Sequence, residues 1–79
     1  MPHYYFDLRD GDAYSKDEEG VELLDIAEAQ IEAAESLADM AKELTMRSVE
    51  PSGQRMAVEV RDQHGLLFSL GFAFARNNH

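Results

Sequence analysis

Apolar residues recur at two different periods along this chain, and the changes of period divide it. Tyr4, Phe6 and Leu8 alternate with Tyr5, Asp7 and Arg9. That period of two, with its aromatic bias, predicts a strand with one apolar face. It stops at Asp10-Gly11-Asp12, a turn signal. Asp-Gly also closes tight hairpins, which would make Ala13-Tyr14-Ser15 a short return strand. Lys16-Asp17-Glu18-Glu19-Gly20 is a second turn-rich patch. From Asp25 the period lengthens. Asp25 is the predicted N-cap of a helix, with Glu28 three residues on as its capping-box partner. Ala27, Ile31, Ala34, Ala38 and Ala41 recur at helical spacing, flanked by Leu37 and Leu44, and form the predicted inward stripe. Glu28, Glu32, Glu35, Asp39 and Glu43 take the wet side. Glu43 and Arg47 form a supportive i,i+4 pair. Ser48 to Gly53, with Pro51, is expected to end the helix.

Period two then returns. Met56, Val58 and Val60 alternate with Ala57, Glu59 and Arg61. Asp62-Gln63-His64-Gly65 reads as a tight turn, with Gly65 suited to positive φ. From Leu66 to Phe74 every even position is large and apolar, and the odd positions Leu67, Ser69, Gly71 and Ala73 are uncharged. A strand with no charged face is expected inside a sheet, flanked on both edges. A three-residue loop would pair Val60 with Phe68, Val58 with Leu70 and Met56 with Phe72. The order strand, helix, strand, strand predicts one small α+β domain over residues 1–79. Its β-α-β-β chain forms a three-stranded sheet of order 1-3-2, with the last strand antiparallel to both neighbours. One long helix packs on one face, and residues 76–79 form a disordered tail. The uncovered face would display Tyr5, Asp7, Arg9, Ala57, Glu59, Arg61, Leu67, Ser69, Gly71 and Ala73. It is either a solvated face or a contact surface for a second copy. The first and second strands, as sheet edges, offer another route to pairing between subunits.

Composition narrows the function classes. Seventy-nine residues give a small core, which disulfides, metals or a partner chain usually support. There is no cysteine, so disulfides and thiolate metal sites are excluded, and a reducing compartment fits. No basic segment followed by an apolar stretch opens the chain, so no signal peptide is read. The longest apolar run is far below the ~20 residues that span a bilayer. A cytoplasmic protein is the expectation. The formal net charge is −9, and the acids concentrate between Asp7 and Glu43. That charge repels phosphate backbones and anionic lipid, so neither nucleic acid nor membrane is an expected partner.

The N-terminal block Tyr4-Tyr5-Phe6-Asp7-Leu8-Arg9-Asp10-Gly11, then Asp17-Glu18-Glu19-Gly20-Val21-Glu22-Leu23, then an alanine-rich helix, resembles a family of short uncharacterised bacterial proteins, a domain of unknown function. Its members share an aromatic N-terminal strand, an Asp-Gly turn, an Asp-x-x-Gly-x-x-Leu segment and a C-terminal hairpin of the Val-x-Val-x-Asp-x-x-Gly kind. Here that hairpin reads Val58-Glu59-Val60-Arg61-Asp62-Gln63-His64-Gly65. The resemblance covers nearly the whole chain. It supports the fold and implies no activity, cofactor or site residue.

Candidate chemistry is sparse. Asp10, Asp12, Asp17, Glu18 and Glu19 are the densest oxygen donors and the candidates for weak divalent-cation binding. They fail an EF-hand template, which would place Tyr14 and Val21 at ligand positions. Their simpler role is to make turns and start the helix. His3, His64 and His79 lack the spacing of a metal site. No serine lies in a Gly-x-Ser-x-Gly context, and there is no glycine-rich phosphate loop. An enzyme is not expected, nor a cofactor. The expected role is a non-enzymatic protein-interaction module, self-associating as a homodimer. Its contact residues are Tyr5, Arg9, Leu67, Ser69, Gly71 and Ala73 on the sheet face. The alternative is an acidic mimic of nucleic acid that occupies a basic protein, with Glu28, Glu32, Glu35 and Asp39 as its carboxylate row.

Overall fold

The computed structural model describes residues 1–46 and 54–75. Among them the chain runs β1 (His3–Asp10), β2 (Ala13–Ser15), β3 (Val21–Glu22), α1 (Ile26–Met46), β4 (Gln54–Asp62) and β5 (Gly65–Phe74). It is an α+β fold with one helix on an antiparallel sheet. The described residues form five strands rather than three, ordered β2-β1-β4-β5, with β3 also paired to β1. The expected 1-3-2 order is therefore wrong, and so is the interior position of the Leu66–Phe74 segment. Among the described residues β5 pairs with β4 alone and lies at the rim.

The cause lies in the Asp10-Gly11 turn. It closes a hairpin in which Leu8, Arg9 and Asp10 face Ser15, Tyr14 and Ala13. The chain then continues back along β1, where Tyr4 and His3 face Val21 and Glu22. By the start of α1 the chain is already back at the beginning of β1. The helix therefore carries it to the far end, and β4 returns antiparallel to β1. Phe6 faces Val60 and Leu8 faces Val58. β4 takes the centre. Its Val58 and Val60 are fully buried.

The hairpin of β4 and β5 has the expected register, with Val60 opposite Phe68, Val58 opposite Leu70 and Met56 opposite Phe72. The turn is tighter than predicted. Asp62 pairs with Gly65 and Arg61 with Leu66, and an irregularity after Val60 absorbs Leu67. That bulge puts Leu66 on the face of Arg61, away from the helix, and leaves it 65% exposed. Gly65 has φ 126°, as its turn position requires.

The helix starts as expected. Asp25 Oδ1 accepts the Glu28 amide at 3.0 Å, and Glu28 Oε2 reaches back to the Leu24 amide at 3.3 Å. Its inward stripe is another one, however. Ala29, Ala33 and Leu44 are buried, and Leu37 and Met40 pack on the sheet beside them. Ala27, Ala34 and Ala38 are exposed, and Ile31 is 60% exposed. Two apolar stripes share this helix, separated by about 120° at 100° per residue, and the one with more volume is inside. The acids occupy the remaining third. The Glu43–Arg47 pair, the helix stop at Ser48–Gly53 and the tail at 76–79 lie outside the described residues. No helix among the described residues is long and apolar enough to cross a membrane.

Candidate functional site

Tyr5, Asp7 and Arg9 alternate outward on the open sheet face beside Arg61, Glu59 and Ala57, their cross-strand partners. This register sets opposite charges diagonally. Arg61 Nε donates to Asp7 Oδ2 at 2.8 Å, and Arg9 Nε donates to Glu59 Oε2 at 2.7 Å. Each guanidinium also covers a ring. Arg61 stands 4.4 Å over Tyr5, and Arg9 4.5 Å over Tyr14. Asp7 is only 2% exposed although no helix covers it. The cover is the loop after β2. Asp7 Oδ1 accepts the Asp17 amide at 2.9 Å, and Arg61 Nη2 donates to the Asp17 carbonyl at 2.8 Å.

Asp17 is itself a backbone clamp. Its Oδ2 accepts the Phe6 amide at 3.1 Å, and its Oδ1 accepts the amides of Glu19 and Gly20 at 3.2 and 3.0 Å. Burial would raise the pKa of both aspartates. For Asp7 the hydrogen bond from Arg61, the Asp17 amide and the guanidinium charge outweigh burial, and the pKa falls below its ordinary value. For Asp17 the three amides have the same net effect. Tyr14 is pushed up by desolvation and by the nearby Asp7 charge. Gly20 completes the loop at φ 70°. A Cβ there would meet the His3 ring at 2.7 Å and the Tyr4 carbonyl oxygen at 2.8 Å.

The polar atoms of this cluster satisfy one another. Every buried side-chain nitrogen and oxygen among the described residues has a partner. Nor are the five candidate metal ligands gathered. Asp17 clamps backbone, Asp10 bonds Gln54, and Asp12, Glu18 and Glu19 are exposed. Among the described residues no group of three or more His, Asp or Glu side chains is placed to hold a metal ion.

The other end of the same face is different. Arg9, Arg55, Ala57, Gly71 and Ala73 line a shallow depression of about 420 Å³. Its floor is made of small residues, and its flanks are cationic in a strongly acidic chain. The Arg55 side chain is exposed and has no hydrogen bond or ion pair among the described residues. Of the expected contact residues, Arg9, Gly71 and Ala73 meet here, Ser69 stands opposite Glu59, and Leu67 occupies the bulge. Tyr5 belongs instead to the Arg61 cluster. The acidic row Glu28, Glu32, Glu35 and Asp39 is exposed along one side of α1.

The depression opens onto the β5 rim. β5 is ten residues long, and its second edge has no strand beside it among the described residues. Alternate residues of such a strand send an N–H and a C=O outward, unpaired. Sheets usually blunt a rim with lysine, proline or charge, and Gly65–Phe74 contains none of these. The opposite rim is short and broken into β2 and β3. The neutrality of β5, which predicts cover on both edges, belongs here to a strand at the rim. Arg55 carried no signal beyond its alternation.

One family model matches this chain, over residues 3–73, and its description is Domain of unknown function (DUF6894). No curated protein and no solved structure matches.

Proposed function

Because the chain belongs to the DUF6894 family, a domain of unknown function, we propose its role from its geometry: a non-enzymatic protein-interaction module that docks an extended strand on the β5 rim. The observation that carries this reading is a long, uncharged strand with no strand on one edge among the described residues. Strand addition to such an edge draws affinity from main-chain hydrogen bonds and specificity from alternate side chains. The neighbouring depression supplies that specificity. Its small floor admits a side chain from the docked strand, and Arg55 offers a charge for a carboxylate. The Asp7–Arg61–Asp17 cluster stiffens the far end of the platform.

A second reading rests on the exposed row of Glu28, Glu32, Glu35 and Asp39, which would imitate a phosphate backbone and occupy a basic protein. One experiment separates the two. A photo-crosslinking residue is placed at Leu67 or at Glu32 in cells. Adducts at Leu67 that vanish with Ser69→Lys are expected for strand docking. Adducts confined to Glu32, and lost in high salt, would replace it with acidic mimicry.

A further inference from the structure

The occupant of the β5 rim follows from the helix above it, and we infer that it is a second copy of this chain, joined through a two-fold axis that runs β5 against β5 and α1 against α1. This rests on the strand-docking reading and names its partner.

A β5 strand is self-complementary. With Leu70 on the axis, Phe68 faces Phe72 and Ser69 faces Gly71 of the second copy. Both faces of the junction are then free of charge, and like residues fall on like faces.

The helix makes the same demand independently. α1 packs on β4 and β5. Strands stand about 4.8 Å apart, so a helix over the β4–β5 seam lies about 5 Å from the axis. Two such helices stand about 10 Å apart, which is helix-packing distance and calls for small side chains at the contact. The uncovered stripe has them in Ala27, Ala34 and Ala38, with Ile31 between.

Its direction follows from topology. β3 and β4 are parallel, with β1 between them, and α1 crosses from one to the other. Such crossovers are right-handed almost without exception. In that hand the Ile31 stripe leans toward the β5 rim. The acidic row turns toward β1, away from the second copy. Two chains of net charge −9 thus meet on their least charged flank. A standard interface takes about 800 Å² from each partner, about a seventh of the 5693 Å² surface of this chain.

Sedimentation velocity from low to high micromolar concentration tests this, with circular dichroism as the control for folding. The expected result is a reversible dimer. Ser69→Lys on the rim and Ala34→Glu on the helix stripe should each weaken it by roughly tenfold or more, and Glu32→Lys on the acidic row should not. Mixing ¹³C-labelled and unlabelled copies should give contacts from the Ile31 methyls to Ala34 or Ala38 of the second copy. A strict monomer overturns the inference, as does a dimer indifferent to both variants. In a monomer, titration with a peptide of sequence Gly65–Phe74 then separates the two levels. Saturable shifts at β5 amides would leave strand docking standing without self-association, and no shift would remove both.

Discussion

Replacing Asp7 with asparagine tests whether charge holds the loop onto the sheet. The side chain keeps its shape, and its carbonyl oxygen still accepts the Asp17 amide. What changes is the second oxygen, now an NH₂ group facing the Arg61 Nε from 2.8 Å. Breaking a buried ion pair from one side costs about 3–5 kcal/mol. The Arg61 side chain is 25% exposed and keeps the Asp17 carbonyl and the Tyr5 ring, so part of its charge is solvated. About 2–3 kcal/mol is the expected loss, near that of one hydrogen bond between charged groups. In a domain of this size that lowers Tm by roughly 10–20 °C. The pH dependence carries the sharper test. The folded-state pKa of Asp7 lies below its unfolded value, which is about 3.9. Its stabilisation is therefore complete above the unfolded value and is lost as pH falls through the folded one. Parent and Asp7→Asn should differ fully at neutral pH and converge in strong acid. Thermal melts by circular dichroism across that range decide it. A gap that persists undiminished in acid, or one below about 0.5 kcal/mol at neutral pH, would refute the electrostatic account.

Gly20→Ala should destabilise by about 2–3 kcal/mol, since φ 70° and three contacts under 3 Å both oppose a side chain; urea unfolding measures it. Leu44→Ala should cost about 2–4 kcal/mol and Ile31→Ala under about 0.5 kcal/mol in the monomer, because Leu44 is 1% exposed and Ile31 is not buried. Equal losses in denaturant titrations would mean that the wrong helix stripe is inside. Asp25→Ala should cost about 1 kcal/mol through the lost cap, read as faster amide exchange in the first turn of α1.

Local patterns in this sequence translate faithfully where one turn decides the outcome. The alternation of Val58 and Val60 with Glu59, together with the Asp62–Gly65 turn, specifies the β4–β5 register. Asp25 and Glu28 specify where α1 starts. The fold parted from expectation where two long-range alternatives were both well patterned. A weak hairpin at Ala13–Ser15 decides which end of the sheet the helix leaves from, and with it the partner of β1. A neutral strand reads the same whether it is covered on two edges or open on one. Two apolar stripes on α1 differ mainly in volume, which spacing does not express. The Asp7–Arg61 diagonal was in view only as two charges on one face. Its meaning depends on Asp17 folding back over them, ten positions after Asp7 and forty-four before Arg61.

The antiparallel seam between β1 and β4 has a consequence for how the chain is made. β1 is synthesised well before β4, its main partner, which begins at Gln54. The α1 segment and the β4–β5 hairpin close over short stretches, whereas Asp7 must find Glu59 across fifty-two positions. Such closure is the slow step in β-rich folding. On the ribosome β1 waits with only β2 and β3 beside it. The Asp17 clamp on the Phe6 amide then covers one edge of a nascent strand whose other edge stays open until β4 has been made.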